Sequence, residues 1–116
     1  MMTTEEVANR IIELFNEGKS VQAEQETYAE DVISHEQDGR TEKGLEAIIA
    51  KTKAAGAMFE TLHKAEVAKK FINQDTFLLV FEMDATFKGG NRMQMTEYGF
   101  YRVADGKVVE EYFYAM

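Results

Sequence analysis

The spacing of apolar residues changes about halfway along the chain. In the first half they recur every three or four positions, which is typical of amphipathic helices. From Lys64 onward apolar and polar residues alternate, which is typical of strands with one buried face. The pattern therefore predicts helices followed by an antiparallel meander, which is an α+β arrangement.

Three helices are predicted in the first half. Thr3 and Glu6 have the spacing of a capping box, so the first helix begins there. Gly18 can end this helix, because glycine readily adopts the left-handed conformation that follows many helices. A second, shorter helix is predicted over residues 20–28, and a third over residues 44–59.

One short strand and four longer strands complete the prediction. The short strand falls in the latter part of residues 28–36, before a polar, turn-rich segment at residues 37–43. The four longer strands are predicted over residues 64–72, 76–88, 92–104 and 107–116. Three turn sequences separate them: Asn73-Gln74-Asp75, Gly89-Gly90-Asn91 and Ala104-Asp105-Gly106. Such short polar connections indicate hairpins.

The lengths of these turns decide which residues share a face of the sheet. Two-residue turns would scatter apolar residues over both faces, so three-residue turns are predicted. They pair Phe71 with Phe77, Met83 with Glu97, Leu79 with Tyr101, and Gly99 with Glu111. The predicted inner face consists of Val67, Phe71, Phe77, Leu79, Phe81, Met83, Ala85, Met93, Met95, Glu97, Tyr101, Val109 and Phe113. Two carboxylates, Glu97 and Glu111, interrupt this otherwise apolar face.

Length and composition are those of an ordinary globular protein. A chain of 116 residues fits one domain, predicted over residues 1–116. Cysteine is absent, which excludes disulfides and thiolate metal sites and is compatible with a reducing compartment. The longest strictly apolar run, residues 77–81, is too short for a membrane span or a signal peptide. A cytoplasmic location is therefore expected.

The charge balance narrows the class of partner. The net charge is −8, from 13 basic and 21 acidic side chains. Nucleic acids and anionic membranes require a basic surface, and the basic residues here are scattered. Neither is expected as a partner. A small molecule or a second copy of the chain is expected instead.

Three segments have a recognisable order and spacing: Tyr28-Ala29-Glu30-Asp31-Val32 followed by His35, then Gly44-Leu45-Glu46-Ala47-Ile48, and finally residues 101–112. With them the chain resembles the nuclear transport factor two-like superfamily, in its SnoaL-like (polyketide cyclase-like) branch. The resemblance spans nearly the whole chain. It implies a cone-shaped, strongly curved, mostly antiparallel sheet packed on three N-terminal helices, the cystatin-like or SnoaL-like roll. Its members include isomerases, cyclases, epoxide hydrolases and non-catalytic binders, so the fold leaves the reaction open.

Glu97 is the first candidate catalytic residue. Its predicted neighbours are Met83, Met95, Gly99 and Phe113, so its carboxylate should be poorly hydrated. Desolvation raises the pKa of a carboxylic acid, and a raised pKa permits acid or base catalysis near neutrality. The alternative is a structural carboxylate, bonded to a tyrosine or arginine or placed at a wet rim.

Glu111 is the second candidate catalytic residue. The predicted register makes it a diagonal neighbour of Glu97, roughly 7–8 Å away at the backbone, so the two acids could share one substrate. The alternative is that Glu111 lies on a solvated edge strand. Several enzymes of the resembled superfamily carry an aspartate at the position that aligns with Gly99, and this chain lacks it.

Other site residues follow from the resemblance and from the inner face. The resemblance implies that His35 points into the cavity as a third catalytic residue; a structural or rim position is the alternative. Tyr28 and Tyr101 are predicted either to donate hydrogen bonds to a ligand or to pack. The remaining ligand-binding residues are predicted to be Phe81, Met83, Met95 and Phe113. No metal-ligand spacing is recognised, so no metal or cofactor is expected.

The opposite face of the predicted sheet is also rich in apolar and aromatic residues. They are Leu78, Val80, Tyr98, Phe100, Tyr112 and Tyr114. Because this is more apolar surface than a monomer usually exposes, we expect a homodimer through this face. Glu82, Asp84, Arg92 and Arg102 would form its polar rim.

Two functional hypotheses remain open at this point. The first is an acid–base enzyme of the isomerase, cyclase or hydratase type, acting on a small apolar molecule. Glu97 would be its base or acid and Glu111 the partner. The second is a non-catalytic ligand-binding or dimerisation module, in which the same acids are structural.

Overall fold

The computed structural model describes residues 1–115 as three helices and six strands. The elements are α1 (Thr4–Asn16), α2 (Ser20–Thr27), β1 (Tyr28–His35), β2 (Thr41–Lys43), α3 (Leu45–Ala57), β3 (Phe59–Asn73), β4 (Thr76–Phe87), β5 (Arg92–Ala104) and β6 (Lys107–Ala115). The predicted α+β class and the three helices are confirmed. Strand β2 was missed because three polar residues carry no periodicity. Strand β3 begins earlier than predicted, because its first residues are mostly exposed and do not alternate.

The predicted capping box opens α1. The Thr3 side chain accepts a hydrogen bond from the Glu6 amide (3.1 Å), and the Glu6 carboxylate accepts one from the Thr3 amide (2.9 Å). These bonds satisfy two amides that the first turn of a helix leaves free. Gly18 follows the helix with a φ of +76°, which lets the chain turn directly into α2.

The six strands form one sheet in the order β2-β1-β6-β5-β4-β3. Strands β1 and β6 are parallel, and every other pairing is antiparallel. The curved sheet lies against the helices, with α1 packed on β3 and β4 and α3 on β1. The core between the layers includes Val7, Ile11, Val32, Ile48, Phe77, Leu79, Phe81, Tyr101, Val103 and Val108. None of the helices within residues 1–115 is long and apolar enough to cross a bilayer.

The β3–β4 turn is shorter than predicted. Asn73 pairs with Thr76, so the turn has two residues rather than three. Consequently the prediction that Phe71 faces inward is wrong: its side chain is 56% exposed, while Ile72 packs against the core. A bulge after Val67 shifts the register, so Val67 pairs with Phe81 and packs against the core as predicted.

The β4–β5 turn has the predicted length but lies one residue earlier. The Phe87 amide donates to the Asn91 carbonyl oxygen, which leaves residues 88–90 as the turn. The register therefore moves by two residues, and Glu97 pairs with Phe81 instead of Met83. A shift of two residues preserves the face of every side chain, so the predicted inner faces of both strands are retained. Met93 nevertheless lies at the far end of the sheet and is 45% exposed.

The β5–β6 turn has two residues and both have positive φ. Asp105 has φ +51° and Gly106 has φ +74°, as a type I′ hairpin turn requires. A bulge next to the turn leaves Val109 without a partner. Val108 is therefore the buried residue (0% exposed), and the prediction of Val109 on the inner face is wrong. Beyond the bulge Glu111 pairs with Tyr101 rather than Gly99.

Candidate functional site

An open cavity of about 940 Å³ lies between helices α2 and α3 and the inner face of the sheet. Phe81, Met83 and Phe113 line it, as the sequence predicted. Met95 does not line it, so that placement is wrong. Met95 pairs with Met83 on the side nearer the β4–β5 turn, where the strands extend beyond the cavity.

Glu97 lies on the wall of the cavity that the sheet provides. It is half-buried on β5, and within residues 1–115 its carboxylate has no hydrogen-bond partner. Burial raises the pKa of Glu97, and the negative charges of Glu36 and Glu111 raise it further, while Lys51 opposes the rise. The predicted rise in the pKa of Glu97 is therefore present, although Phe81 and Ala115 replace the predicted partners Met83 and Phe113. The alternative of a tyrosine or arginine bond is absent within residues 1–115, whereas the alternative of a wet rim fits the half-buried position of Glu97.

Glu111 lies deeper in the cavity wall than Glu97. Its side chain is 1% exposed and accepts a hydrogen bond from the Tyr28 hydroxyl. Burial raises the pKa of Glu111, and hydrogen bonds from Tyr28 and Ser34 oppose this rise. Strand β6 runs between β1 and β5, so the alternative of a solvated edge strand is wrong. Tyr28 both packs in the core and holds this carboxylate.

The two acids lie farther apart than the sequence predicted. Glu97 pairs with Ala115, whereas Glu111 pairs with Tyr101. Their backbones are thus offset by four residues, which is about 13 Å along a strand. The predicted diagonal pair is therefore wrong, because it depended on the register that the turns shifted. The acids still interact at long range, since the charge of Glu111 raises the pKa of Glu97.

The Tyr101 side chain leans along β5 over Gly99. A β-carbon added to Gly99 would lie 2.9 Å from the Tyr101 hydroxyl oxygen and 2.9 Å from Cε2 of Phe81. The Tyr101 ring also stacks on Phe77 with centroids 4.6 Å apart. Burial and the charges of nearby carboxylates raise the pKa of Tyr101 well above its usual value. Its hydroxyl is therefore a neutral hydrogen-bond donor on the cavity wall.

Glu24 lies on the helical wall of the cavity, a position that the sequence did not indicate. It is 9% exposed on α2, and its Oε2 accepts a hydrogen bond of 2.6 Å from the Thr52 hydroxyl. Burial raises the pKa of Glu24 to about 7, and the charge of Glu111 raises it while the Thr52 bond lowers it. Helix α2 has only weak apolar periodicity, so the sequence carried no signal that this acid faces inward.

Lys51 is a second cavity residue that the sequence did not indicate. Its ammonium group donates to the Glu36 carboxylate (2.7 Å) and to the Ser34 hydroxyl (3.1 Å). It also lies 5.8 Å from the centre of the Phe113 ring, a distance at which cations and aromatic rings attract. The positive charge of Lys51 therefore opposes the rise in the pKa values of Glu24, Glu97 and Glu111.

His35 does not line the cavity, so the predicted inward placement is wrong. Its neighbour Ser34 is fully buried on the inner side of β1, and the alternation of a strand directs His35 to the outer side. There its ring stacks on Tyr112 with centroids 4.3 Å apart. Its Nε2 lies 2.8 Å from the Glu110 carboxylate. The alternative of a structural histidine fits this position.

No cluster of metal-ligating side chains is found in the part of the chain that the structure describes. Across residues 1–115, no three His, Asp or Glu side chains come together as a metal site. The cavity combines three carboxylates of raised pKa, two tyrosine hydroxyls and three lysines, Lys51 among them, with apolar side chains. This composition suits proton transfer and hydrogen bonding to a small molecule.

Comparisons with known proteins agree on one family. The family model described as "SnoaL-like domain" matches residues 2–115. No curated protein matches the chain. A solved structure from Mesorhizobium loti, called a SnoaL-like polyketide cyclase, shares 35% sequence identity over 97% of this chain and 99% of its own, with a TM-score of 0.88.

Two more distant structures show the same fold. One is called a polyketide cyclase, from Streptomyces antibioticus; it shares 21% identity over 97% of this chain and 91% of its own, with a TM-score of 0.78. The other is a nuclear transport factor two-like protein of unknown function from Burkholderia pseudomallei. It shares 14% identity over 100% of this chain and 92% of its own, with a TM-score of 0.84.

Proposed function

The chain belongs to the SnoaL-like domain family, and from this premise we propose that it is an acid–base enzyme for a small, largely apolar carbonyl compound. The substrate would lie in the cavity between α2, α3 and the sheet. The relative from Mesorhizobium loti, called a polyketide cyclase, agrees with a reaction in which carbonyl groups are activated.

The observation that carries this proposal is the state of Glu97. A cavity-lining carboxylate without a hydrogen-bond partner in residues 1–115 gains nothing for folding from its burial. Desolvating such a group costs free energy that a hydrophobic residue would not require. Its raised pKa brings it closer to the range in which a base is effective at neutral pH. A catalytic role accounts for both properties.

The proposed step is the removal of a proton from the carbon next to a carbonyl group. The Glu97 carboxylate takes the proton, and the electrons of the broken C–H bond form the C=C bond of an enolate. The negative charge then rests on the carbonyl oxygen, which accepts a hydrogen bond from the neutral Tyr101 hydroxyl. If the substrate has a β,γ C=C bond, return of the proton from Glu97 to the γ-carbon of the dienolate gives isomerisation. If it has a second carbonyl group, the enolate carbon bonds to that carbonyl carbon, and the resulting alkoxide takes the proton back from Glu97, which gives cyclisation.

The proposal is tested with 2-tetralone, an apolar ketone with exchangeable protons beside its carbonyl. Incubation in D₂O, followed by proton NMR, measures how fast these protons are replaced by deuterium. The protein should accelerate the exchange, and Glu97→Gln should reduce the protein-dependent rate by about 10²–10⁴-fold, the usual contribution of a general base. Tyr101→Phe should reduce it as well, because the enolate oxygen loses its donor.

A charged control separates the chemistry from a general effect of charge. Glu30 is exposed on β1, and Glu30→Gln removes one negative charge as Glu97→Gln does. Its exchange rate should equal that of the unmodified protein. Binding of 2-tetralone without accelerated exchange would contradict catalysis and would favour the non-catalytic alternative. Absence of binding would contradict the cavity as a site for apolar molecules.

The non-catalytic ligand-binding alternative has one observation in its favour. Glu111 is almost fully buried and is already bonded to Tyr28, as a structural carboxylate would be. Tyr28→Phe separates the two roles. If Glu111 is structural, the variant should lose stability by about 1–3 kcal/mol, the cost of an unsatisfied buried group, and retain the exchange activity. If Glu111 assists Glu97, the activity should fall as well.

We also propose that two copies of the chain associate through the outer face of the sheet. Phe100 and Tyr114 are 37% and 48% exposed on this face, beside Tyr98 and Tyr112. Exposed aromatic residues in one patch are typical of protein interfaces. His35 and Glu110 form a polar pair at the border of the patch.

A further inference from the structure

Glu24 has no part in the proton transfer proposed above. It lies on α2, so it faces the cavity from the helical wall, while Glu97 faces it from the sheet. The Thr52 hydroxyl on α3 donates to its Oε2 at 2.6 Å. Its other oxygen, Oε1, is buried and has no hydrogen-bond partner in the part of the chain that the structure describes.

An unpartnered buried oxygen is costly for the folded protein. Leaving a buried acceptor unsatisfied costs about 1–3 kcal/mol, and more when the group is charged. In a structural carboxylate both oxygens would accept hydrogen bonds. In Glu24 only Oε2 accepts one, so Oε1 is available to a donor. The missing donor is accounted for if a bound molecule supplies it, since Glu24 lines the cavity.

Neighbouring charged and titratable groups surround Glu24 without bonding to Oε1. Glu111 on β6 acts on it by its negative charge, and Lys51 on α3 by its positive charge. Tyr28 on β1 directs its hydroxyl to Glu111 instead. Thr52 fixes one oxygen, so the orientation of the carboxyl group is set before any ligand enters. Burial brings the pKa of Glu24 to about 7, where both protonation states are populated in neutral solution.

We infer that Glu24 is a second catalytic residue, whose Oε1 exchanges a proton with the substrate from the helical side while Glu97 acts from the sheet side. This inference rests on the proposed acid–base function. Glu97 takes a proton from the carbon next to the carbonyl group and becomes neutral. Neutral Glu24 gives its proton to the γ-carbon of the resulting dienolate, where a C–H bond forms, and becomes a carboxylate. The substrate gains one proton and loses one, and both acids return to their starting states by exchange with water.

The test uses 2-naphthol, an apolar fluorescent phenol that becomes a strong acid on excitation. When its hydroxyl lies against a carboxylate, the excited molecule transfers its proton and emits from the naphtholate band. At about pH 8, one unit above the pKa of Glu24, the carboxylate form dominates. The bound probe should emit mainly as naphtholate in the unmodified protein, and Glu24→Gln should lower the ratio of naphtholate to naphthol emission by about tenfold or more.

Three further variants make the result specific. Glu30→Gln removes an exposed charge and should leave the emission ratio unchanged. Thr52→Val keeps the carboxylate but removes the bond that orients it, so the ratio should fall less than in Glu24→Gln. Glu24→Asp withdraws the carboxylate by one methylene and should also lower the ratio; it replaces Glu24→Gln as the deciding variant if that protein does not fold.

The outcomes separate this inference from the function on which it rests. An unchanged emission ratio in Glu24→Gln, with 2-naphthol still bound, overturns the role of Glu24 and leaves the role of Glu97 intact. Failure of the unmodified protein to bind 2-naphthol overturns the cavity as an apolar binding site, and the role of Glu24 with it. Loss of naphtholate emission in Glu24→Gln, together with its retention in Glu97→Gln, supports the assignment.

Discussion

The Tyr101 hydroxyl oxygen lies 2.9 Å from the point that a β-carbon would occupy on Gly99. Cε1 of the same ring and Cε2 of Phe81 lie equally close to that point. A side chain at position 99 and this orientation of Tyr101 therefore exclude each other. An aspartate at position 99 is thus sterically incompatible with this cavity wall, and the carboxylates of raised pKa are those of Glu24, Glu97 and Glu111.

Gly99→Ala is expected to destabilise the protein by about 1–3 kcal/mol, the usual cost of overpacking a core. The added methyl group would meet Phe81 and Tyr101 at distances below van der Waals contact. Displacement of the Tyr101 hydroxyl should also slow the exchange of 2-tetralone protons. Urea denaturation measures the first effect, and proton NMR measures the second.

Gly56 provides the matched control for this substitution. It lies in α3 and a β-carbon added there meets no atom within 4 Å. Gly56→Ala should therefore stabilise the protein by about 0.5–1 kcal/mol through improved helix propensity. Equal free energies of unfolding for Gly99→Ala and Gly56→Ala would contradict the packing described for Tyr101.

The pH dependence of stability should depend on Glu24. The pKa of Glu24 is about 7 in the folded protein, against 4.5 in the unfolded chain. Between these values the folded state binds more protons than the unfolded state, so the contribution of Glu24 to stability falls as the pH rises. The fall is about 1.4 kcal/mol per pH unit, or about 3 kcal/mol in total.

Glu24→Gln should remove this part of the pH dependence. The variant should gain stability relative to the unmodified protein as the pH rises from 4.5 to 7, as measured by urea denaturation at several pH values. Thr52→Val should extend the fall in stability to higher pH, because it removes the hydrogen bond that lowers the pKa of Glu24. A constant difference between Glu24→Gln and the unmodified protein across this range would show that Glu24 ionises normally.

The β3–β4 register predicts that alanine substitution of two adjacent apolar residues changes the free energy of unfolding by very different amounts. Ile72 packs against the core, so Ile72→Ala should cost about 1–2 kcal/mol in the free energy of unfolding. Phe71 is 56% exposed, so Phe71→Ala should change it by less than about 0.5 kcal/mol. A larger loss for Phe71→Ala would favour the three-residue turn predicted from the sequence.

The outer face of the sheet is expected to hold a dimer together. Tyr98 lies on this face between Val80 and Tyr114, so Tyr98→Glu would bury a charge in the interface. Sedimentation velocity should show a dimer for the unmodified protein and a monomer for this variant. Ala54→Glu adds the same charge to an exposed position of α3 and should leave the dimer intact; a monomeric unmodified protein would refute the interface.

Local patterns determined the elements and the side of the sheet on which most residues lie. The capping box at Thr3 and the alternation along β4 and β5 extend over a few residues, so they can be recognised in the sequence without knowledge of tertiary contacts. Glu97 could be placed on the inner face for the same reason. Side chains alternate between the two faces along a strand, and a register shift of two residues leaves each side chain on the same face. The resemblance of three sequence segments to a known superfamily predicted the family and the cone-shaped sheet.

Only the tertiary structure decided how far apart the acids lie and which other residues join them. The turns at Gln74 and Asp105 differ by one residue from the predicted lengths, and a change of one residue in a turn displaces every pair along the hairpin. Glu24 enters the cavity because α2 packs beside α3, and His35 stacks on Tyr112 because β1 pairs with β6. These contacts join segments distant in the chain, and neighbouring residues alone do not encode them.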